Sequence, residues 1–275
     1  DHVAERFAEA FADNIGKWCE ENGISLTGHV MEEPTLTSQT HSTGEAMRSY
    51  RSFTIPGMDL LCNLIELSTA KQVGSAVNQF GREAALSELY GVSNWNEDFR
   101  TYKFQGDWQA ALGISVRVPH LSMLSMNGEA KRDYPASIGY QSPWYTQYSY
   151  VEDHFARINT CLTRGKSMVN VCVIHPIESF WLHWGSAKET QIKRDVLEKN
   201  FSDITSWLLL SQIDFDFVSE AHLSKIYRES EEPVFTVGEM AYNTVIVPEN
   251  ETLRSTTVKA LRSFADKGGR IVFLG

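Results

Sequence analysis

The stretch Glu83-Ala84-Ala85-Leu86-Ser87-Glu88-Leu89-Tyr90-Gly91 decides how the rest of the chain is read. It is a short apolar run that delivers one carboxylate, Glu88, near its end and then stops on an aromatic residue and a glycine. Upstream, Thr69 to Phe80 reads as a helix with Ala70, Val73, Ala76, Val77 and Phe80 on one face, and Gly81 follows as a stop. Downstream, a loop carrying Trp95 leads to a second helix beginning near Gly106. Helix, buried strand, acidic tip, loop and helix form the repeating unit of a parallel α/β fold. In barrels of that kind, catalytic groups sit at the carboxyl ends of the strands. A glutamate in this place is a candidate for chemistry; the plainer role is to cap the next helix or pair with an arginine.

Working outward, the chain has 275 residues, 42% hydrophobic and 22% charged, enough for a substantial core in about two domains. A net charge of −10 with no clustered basic residues argues against nucleic acid or an anionic membrane as partner. No apolar run reaches the length of a membrane span, and the amino terminus lacks a basic flank and a signal-like core. Cys19, Cys62, Cys161 and Cys172 lie far apart with no CxxC pair, so they read as free, mostly buried thiols. That leans toward a reducing, cytoplasmic setting. Both ends read as cut from a longer protein. Asp1 opens inside an amphipathic helix carrying Val3, Phe7, Ala10, Phe11, Ile15 and Trp18, and Gly275 follows a strand, Arg270 to Leu274.

Residues 1–165 repeat one pattern. After the first helix stops at Asn22-Gly23, Ile24 to Leu26 is a short strand delivering Thr27-Gly28-His29, and Val30 to Thr43 is a loop. Gly44 to Phe53 is helical, and Met58 to Leu61 is a strand segment containing Asp59. The helix from Thr69 and the strand ending at Glu88 come next. Ile114 to Leu121 is a further strand, exposing Arg117 and His120. A long loop then precedes a helix from about Trp144 to Leu162. Four strand-then-helix units correspond to the carboxyl-terminal half of an eightfold (β/α)8 TIM barrel, or equally to a doubly wound open sheet.

Residues 166–275 change character. Val169 to Ile174, Asp214 to Ser219, Asn243 to Val247 and Arg270 to Leu274 read as strands alternating with helices at Ala187 to Ser211, Ala221 to Tyr227 and Glu251 to Ala265. The segment His175 to Trp181 reads as loop packing. β-Branched runs separated by helices indicate a parallel, flavodoxin-like α/β domain. It has no GxGxxG or Walker glycine loop, so nucleotide or flavin binding is unsupported.

Several segments together resemble a known group. Trp18-Cys19-Glu20-Glu21-Asn22-Gly23-Ile24, Leu26-Thr27-Gly28-His29, Ile55-Pro56-Gly57-Met58-Asp59, Leu86-Ser87-Glu88-Leu89-Tyr90-Gly91, Gly106-Asp107-Trp108-Gln109 and Lys131-Arg132-Asp133-Tyr134-Pro135 are similar to bacterial glycoside hydrolases. The group resembled is family 106, the α-L-rhamnosidases, and more distantly the family 42 β-galactosidases. The resemblance implies a glycosidase acting on a carbohydrate through two carboxyl groups. Glu88, ending the seventh barrel strand, matches the base or nucleophile. Its acid partner, on the fourth strand, would precede Asp1, so this chain alone would be inactive. Family 106 resemblance implies inversion and a calcium ion near the sugar; family 42 resemblance implies retention, and assembly of like subunits through the flavodoxin-like domain.

The remaining candidates are ligands of the sugar. His29 can bond a hydroxyl or be a satisfied structural histidine. Glu33 can bind substrate or calcium. Asp59, on the sixth strand, is not expected to be buried without a partner, and His120 ends the eighth. Trp95 and Trp144 can stack on a sugar face or anchor loops, while Arg132 and Asp133 would line the rim or pair with each other. A second class of function stays open: a non-catalytic carbohydrate-binding relative that has lost its acid pair. A redox flavoprotein is a third.

Overall fold

The computed structural model describes residues 1–129 and 136–274. Among them, three helical segments open the chain: α1 (His2–Ala8), a π-helical turn (Glu9–Asp13) and α2 (Asn14–Glu21). The first sheet follows, with β1 (Thr27–Gly28), β2 (Ile55–Leu61), β3 (Ala85–Gly91) and β4 (Ile114–Pro119). All its pairings are parallel, in the order β1-β2-β3-β4. Between the strands lie α3 (Leu36–Ser42), α4 (Ala46–Tyr50), α5 (Leu67–Phe80) and α6 (Phe99–Ala111). A 3₁₀ turn (Tyr145–Gln147) and α7 (Ser149–Leu162) close this part.

The second sheet contains β5 (Val171–Ile174) and β6 (Phe215–Val218), with α8 (Ile177–Trp181) and α9 (Ala187–Leu210) between them. After α10 (Glu220–Ile226), the strands β7 (Tyr227–Arg228), β8 (Phe235–Val237) and β9 (Met240–Tyr242) form a small antiparallel sheet. Then β10 (Thr244–Val247), α11 (Ser255–Asp266) and β11 (Arg270–Phe273) complete the second parallel sheet, ordered β11-β10-β5-β6.

One core joins the two parallel sheets. Met58 and Leu60 of β2 and Ala70, Val73 and Ala76 of α5 cluster with Val173, Phe201, Phe215 and Phe217. The polar side of α5 is buried as well, because it covers the free edge of β6. Phe217 N–H donates to Ser75 Oγ at 2.7 Å, and its carbonyl accepts from Gln79 Nε2 at 2.8 Å. Lys71 Nζ donates to Asp214 at 2.7 Å, and that carboxylate accepts the Phe215 N–H. An edge strand buried without such partners would leave several backbone groups unsatisfied. A buried ion network adds to the junction: Arg48, 1% exposed, pairs with Glu45 at 2.6 Å, Asp1 at 2.7 Å and Glu178 at 3.3 Å.

The structure corrects several sequence readings. The first helices do not bury their large apolar residues: Val3 is 81% and Trp18 57% exposed, and Phe7 and Phe11 stack on each other at the surface. Ala4, Ala8 and Ala12 face inward instead. Small residues allow closer approach, since a Cβ on Gly44 would stand 2.4 Å from Ala4 Cβ and one on Gly16 2.6 Å from the Ser52 carbonyl. The 30–43 segment is not all loop: Thr35 and Ser38 form a capping box that starts α3. Similarly, Asp98 accepts the amides of Arg100 and Thr101 and starts α6 seven residues before Gly106. The 175–181 segment contains α8, and the β7–β9 sheet was not foreseen. Two cysteines, Cys19 and Cys172, are buried, while Cys62 and Cys161 are exposed. No helix among the described residues is long and apolar enough to cross a membrane.

Burial pulls the His175 and His222 imidazoles down to about 4, against the opposing pull of Glu45. The unfolded chain protonates both near pH ~6.5. Their contribution is therefore complete above that pH and is lost as the pH falls toward 4, at about 3 kcal/mol for each histidine. Urea midpoints measured across this range should drop steeply, and His222→Gln should flatten the drop. Phe217→Ala should cost about 3–5 kcal/mol and shift one cooperative transition, because both sheets share its ring.

Candidate active site

The carboxyl ends of β1, β2 and β3 meet at one place. Asp59 on β2 lies in register with Glu88 on β3, so their side chains emerge side by side. His29 follows β1 directly. Its Nδ1 lies 2.7 Å from the Val30 carbonyl and its Nε2 3.1 Å from Glu88 Oε2. A carbonyl only accepts, so Nδ1 carries a hydrogen. At Nε2 a single proton then lies between imidazole and carboxylate: either the imidazolium donates to Glu88, or the Glu88 carboxyl donates to the ring. Burial disfavours the imidazolium most strongly, but the Val30 carbonyl, Glu88, Asp59 and Glu33 together outweigh it, and the His29 pKa is raised.

The surrounding acids are held toward their neutral forms. Burial raises Asp59, with Glu88 adding to the effect and both His29 and His120 opposing it. Glu33 is buried and pushed up to about 8, chiefly by desolvation, with Glu66 and Asp59 contributing. Its carbonyl accepts from Gln39 at 2.8 Å and Gln72 at 3.1 Å, which fixes the loop after β1. Glu66, which precedes α5, is also raised by burial and by Asp59. The sequence reading missed Glu66; the signal available was an acid immediately before a helix, on the segment leaving β2.

His120 packs against Gly91, where a Cβ would stand 3.0 Å from its ring and 2.6 Å from Leu61. Its backbone N–H donates to the Leu89 carbonyl at 2.7 Å. Trp95 lies on the loop beyond β3, 37% exposed. Trp144 precedes the 3₁₀ turn. Arg132 and Asp133 lie outside the described residues. Arg117, read from sequence as exposed, is instead buried over the Phe155 ring, 3.8 Å from its centroid, where it bonds the Tyr90 hydroxyl at 3.0 Å. It is part of the core between β4, α6 and α7.

Backbone strain concentrates at this end of the sheet. Of seven non-glycine residues with positive φ among those described, six lie at or beyond the carboxyl ends of β1 to β3: Glu32, Cys62, Asn63, Tyr90, Val92 and Asn94. The β-branched Val92, at φ 58°, is the least natural occupant of that conformation. Such residues gather where a fold fixes loops for function.

Comparison with known proteins supports the fold at this point. No family model matches the sequence and no curated protein matches it. Among solved structures, a rhamnosidase from Novosphingobium sp. PP1Y superposes with a TM-score of 0.67 at 14% identity, covering 98% of this chain and 25% of that one. A catalytic mutant of Gan42B, a GH42 β-galactosidase from G. stearothermophilus, gives 0.57 at 14% identity over 97% of this chain and 40% of that one. The β-galactosidase from Rahnella sp. R3 gives 0.55 at 12% identity over 82% and 34%. The chain thus has a mixed α/β fold like that of glycoside hydrolases, and spans a quarter to two fifths of the first two structures.

His29, Asp59 and Glu88 each place one potential ligand atom within 4.8 Å of the others. They do not fit calcium, which gathers six to eight oxygens, whereas this set offers one imidazole nitrogen and two carboxylates. Gly91→Ala should displace the His120 ring and cost about 1–3 kcal/mol. Unfolding midpoints and the His120 ring resonances will show both effects.

Proposed function

We propose that this chain belongs to a glycoside hydrolase that breaks O-glycosidic bonds, with Glu88 as general base or nucleophile, and that it is closer to an α-L-rhamnosidase than to a retaining β-galactosidase. The observation that carries the reading is the position of Glu88: it lies within β3, a central parallel strand that runs on to Gly91, in register with Asp59, bonded by His29, and followed by the strained residues beyond the strand. The order β1-β2-β3-β4 without reversal supports residues 1–165 as the carboxyl-terminal half of a (β/α)8 barrel. The order β6-β5-β10-β11 has the 2-1-3-4 arrangement of flavodoxin-like sheets, which supports residues 166–275 as the following domain. The outward apolar stripe of α1 and α2 is where the first half of such a barrel would pack.

In this reading the sugar lies over the carboxyl ends of β1 to β4. His29 orients the Glu88 carboxylate through Oε2, leaving Oε1 to take a proton from water or to attack the anomeric carbon. Asp59, His120, Glu33 and Trp95, with Arg132 and Asp133, contact sugar hydroxyls or the ring face. The acid that protonates the leaving oxygen comes from outside this chain.

Hydrolysis of aryl α-L-rhamnosides and β-D-galactosides should be measured on the protein with its natural flanking sequence, wild type beside Glu88→Gln. The variant should retain its circular dichroism and lose roughly 10²- to 10⁴-fold in turnover. Unchanged turnover would remove Glu88 from the reaction, and sugar binding without hydrolysis by the wild type would favour a non-catalytic binding protein.

A further inference from the structure

The geometry points to a site for a divalent transition cation of the zinc class, made by His29 Nε2, Asp59 and Glu88. This departs from the calcium expected by resemblance and rests on the donors present. The ring of His29 is oriented as in metal-binding histidines, with Nδ1–H held by a backbone carbonyl 2.7 Å away and Nε2 facing Glu88, while Asp59 lies in the same cluster. That arrangement fixes the tautomer and raises the basicity of the free nitrogen. Zinc accepts both imidazole nitrogen and carboxylate oxygen, and its open sites are held by three protein ligands.

Two further observations agree. Asp59 Oδ1 is a buried carboxylate oxygen without a hydrogen-bond partner. The spacing is also suitable. Zinc takes nitrogen and carboxylate oxygen at about 2.0–2.2 Å, which sets tetrahedral ligand atoms roughly 3.3–3.6 Å apart. The His29–Glu88 separation of 3.1 Å needs to open only slightly. The longest separations in the cluster, at most 4.8 Å, need to close by rotation of the carboxylates. The His29 and Glu88 side chains are 27% and 32% exposed, so an ion can enter.

Coordination occupies the Glu88 carboxylate, so the ion would switch off the hydrolytic site; that consequence rests on the glycosidase reading, whereas binding does not. The test uses cobalt(II) as a spectroscopic probe in metal-free buffer, on a Cys62→Ser, Cys161→Ser background that removes the exposed thiols. One cobalt per chain should produce visible d–d bands, which zinc abolishes by displacement and excess calcium leaves unchanged. His29→Gln and Asp59→Asn, each verified as folded by circular dichroism, should weaken cobalt binding by more than about tenfold. Absence of the bands, equal binding by both variants, or displacement by calcium would overturn the proposal. Bands that form normally in a protein without glycosidase activity would uphold the metal site and reject the hydrolytic reading alone.

Discussion

The structure depends on how the free edge of β6 is satisfied. A parallel strand at the margin of a sheet presents N–H and carbonyl groups that water or another strand must meet. Here water is excluded by the shared core, and side chains of α5 take its place: Ser75 and Gln79 hold both backbone groups of Phe217, and Lys71 holds Asp214 beside Phe215. Because α5 is also the crossover from β2 to β3, the same contacts fix the two strands that carry Asp59 and Glu88. The carboxylates are aligned by a helix whose other side is anchored to a different sheet.

Much of this was legible in the sequence because the strands alternate with helices and end in polar residues. The helix before Glu88 and the four strands of the second sheet lie where the pattern placed them, give or take terminal residues, whereas the strand read as ending at Glu88 runs on to Gly91. Periodicity misled where polarity and burial part company. In α5 the polar side is buried because its partner is a polar strand edge, a fact carried by residues more than 130 positions away. In α1 the large apolar residues face outward because Ala4 and Ala8, with Gly44 opposite, permit a closer contact than leucine-sized side chains would.

The candidate site was legible one residue at a time rather than as a cluster. Each of His29, Asp59 and Glu88 could be singled out as a polar group at a strand end. Their meeting depends on the Asp59–Glu88 register and on the tilt of a ring pinned by the carbonyl of its own neighbour. Spacing in sequence encodes neither. The place of Glu66 was hidden for the same reason, since the influence of burial and of Asp59 on it is electrostatic and depends on the fold.

The capped edge of β6 also makes the second sheet directional. Every strand already has a neighbour on one side, and the α5 side chains close the far side of β6 to any newcomer. The opposite margin, β11, has Arg270 and Phe273 exposed and no strand beside it among the described residues. Among the described residues, a further strand can therefore join the second sheet at β11 alone.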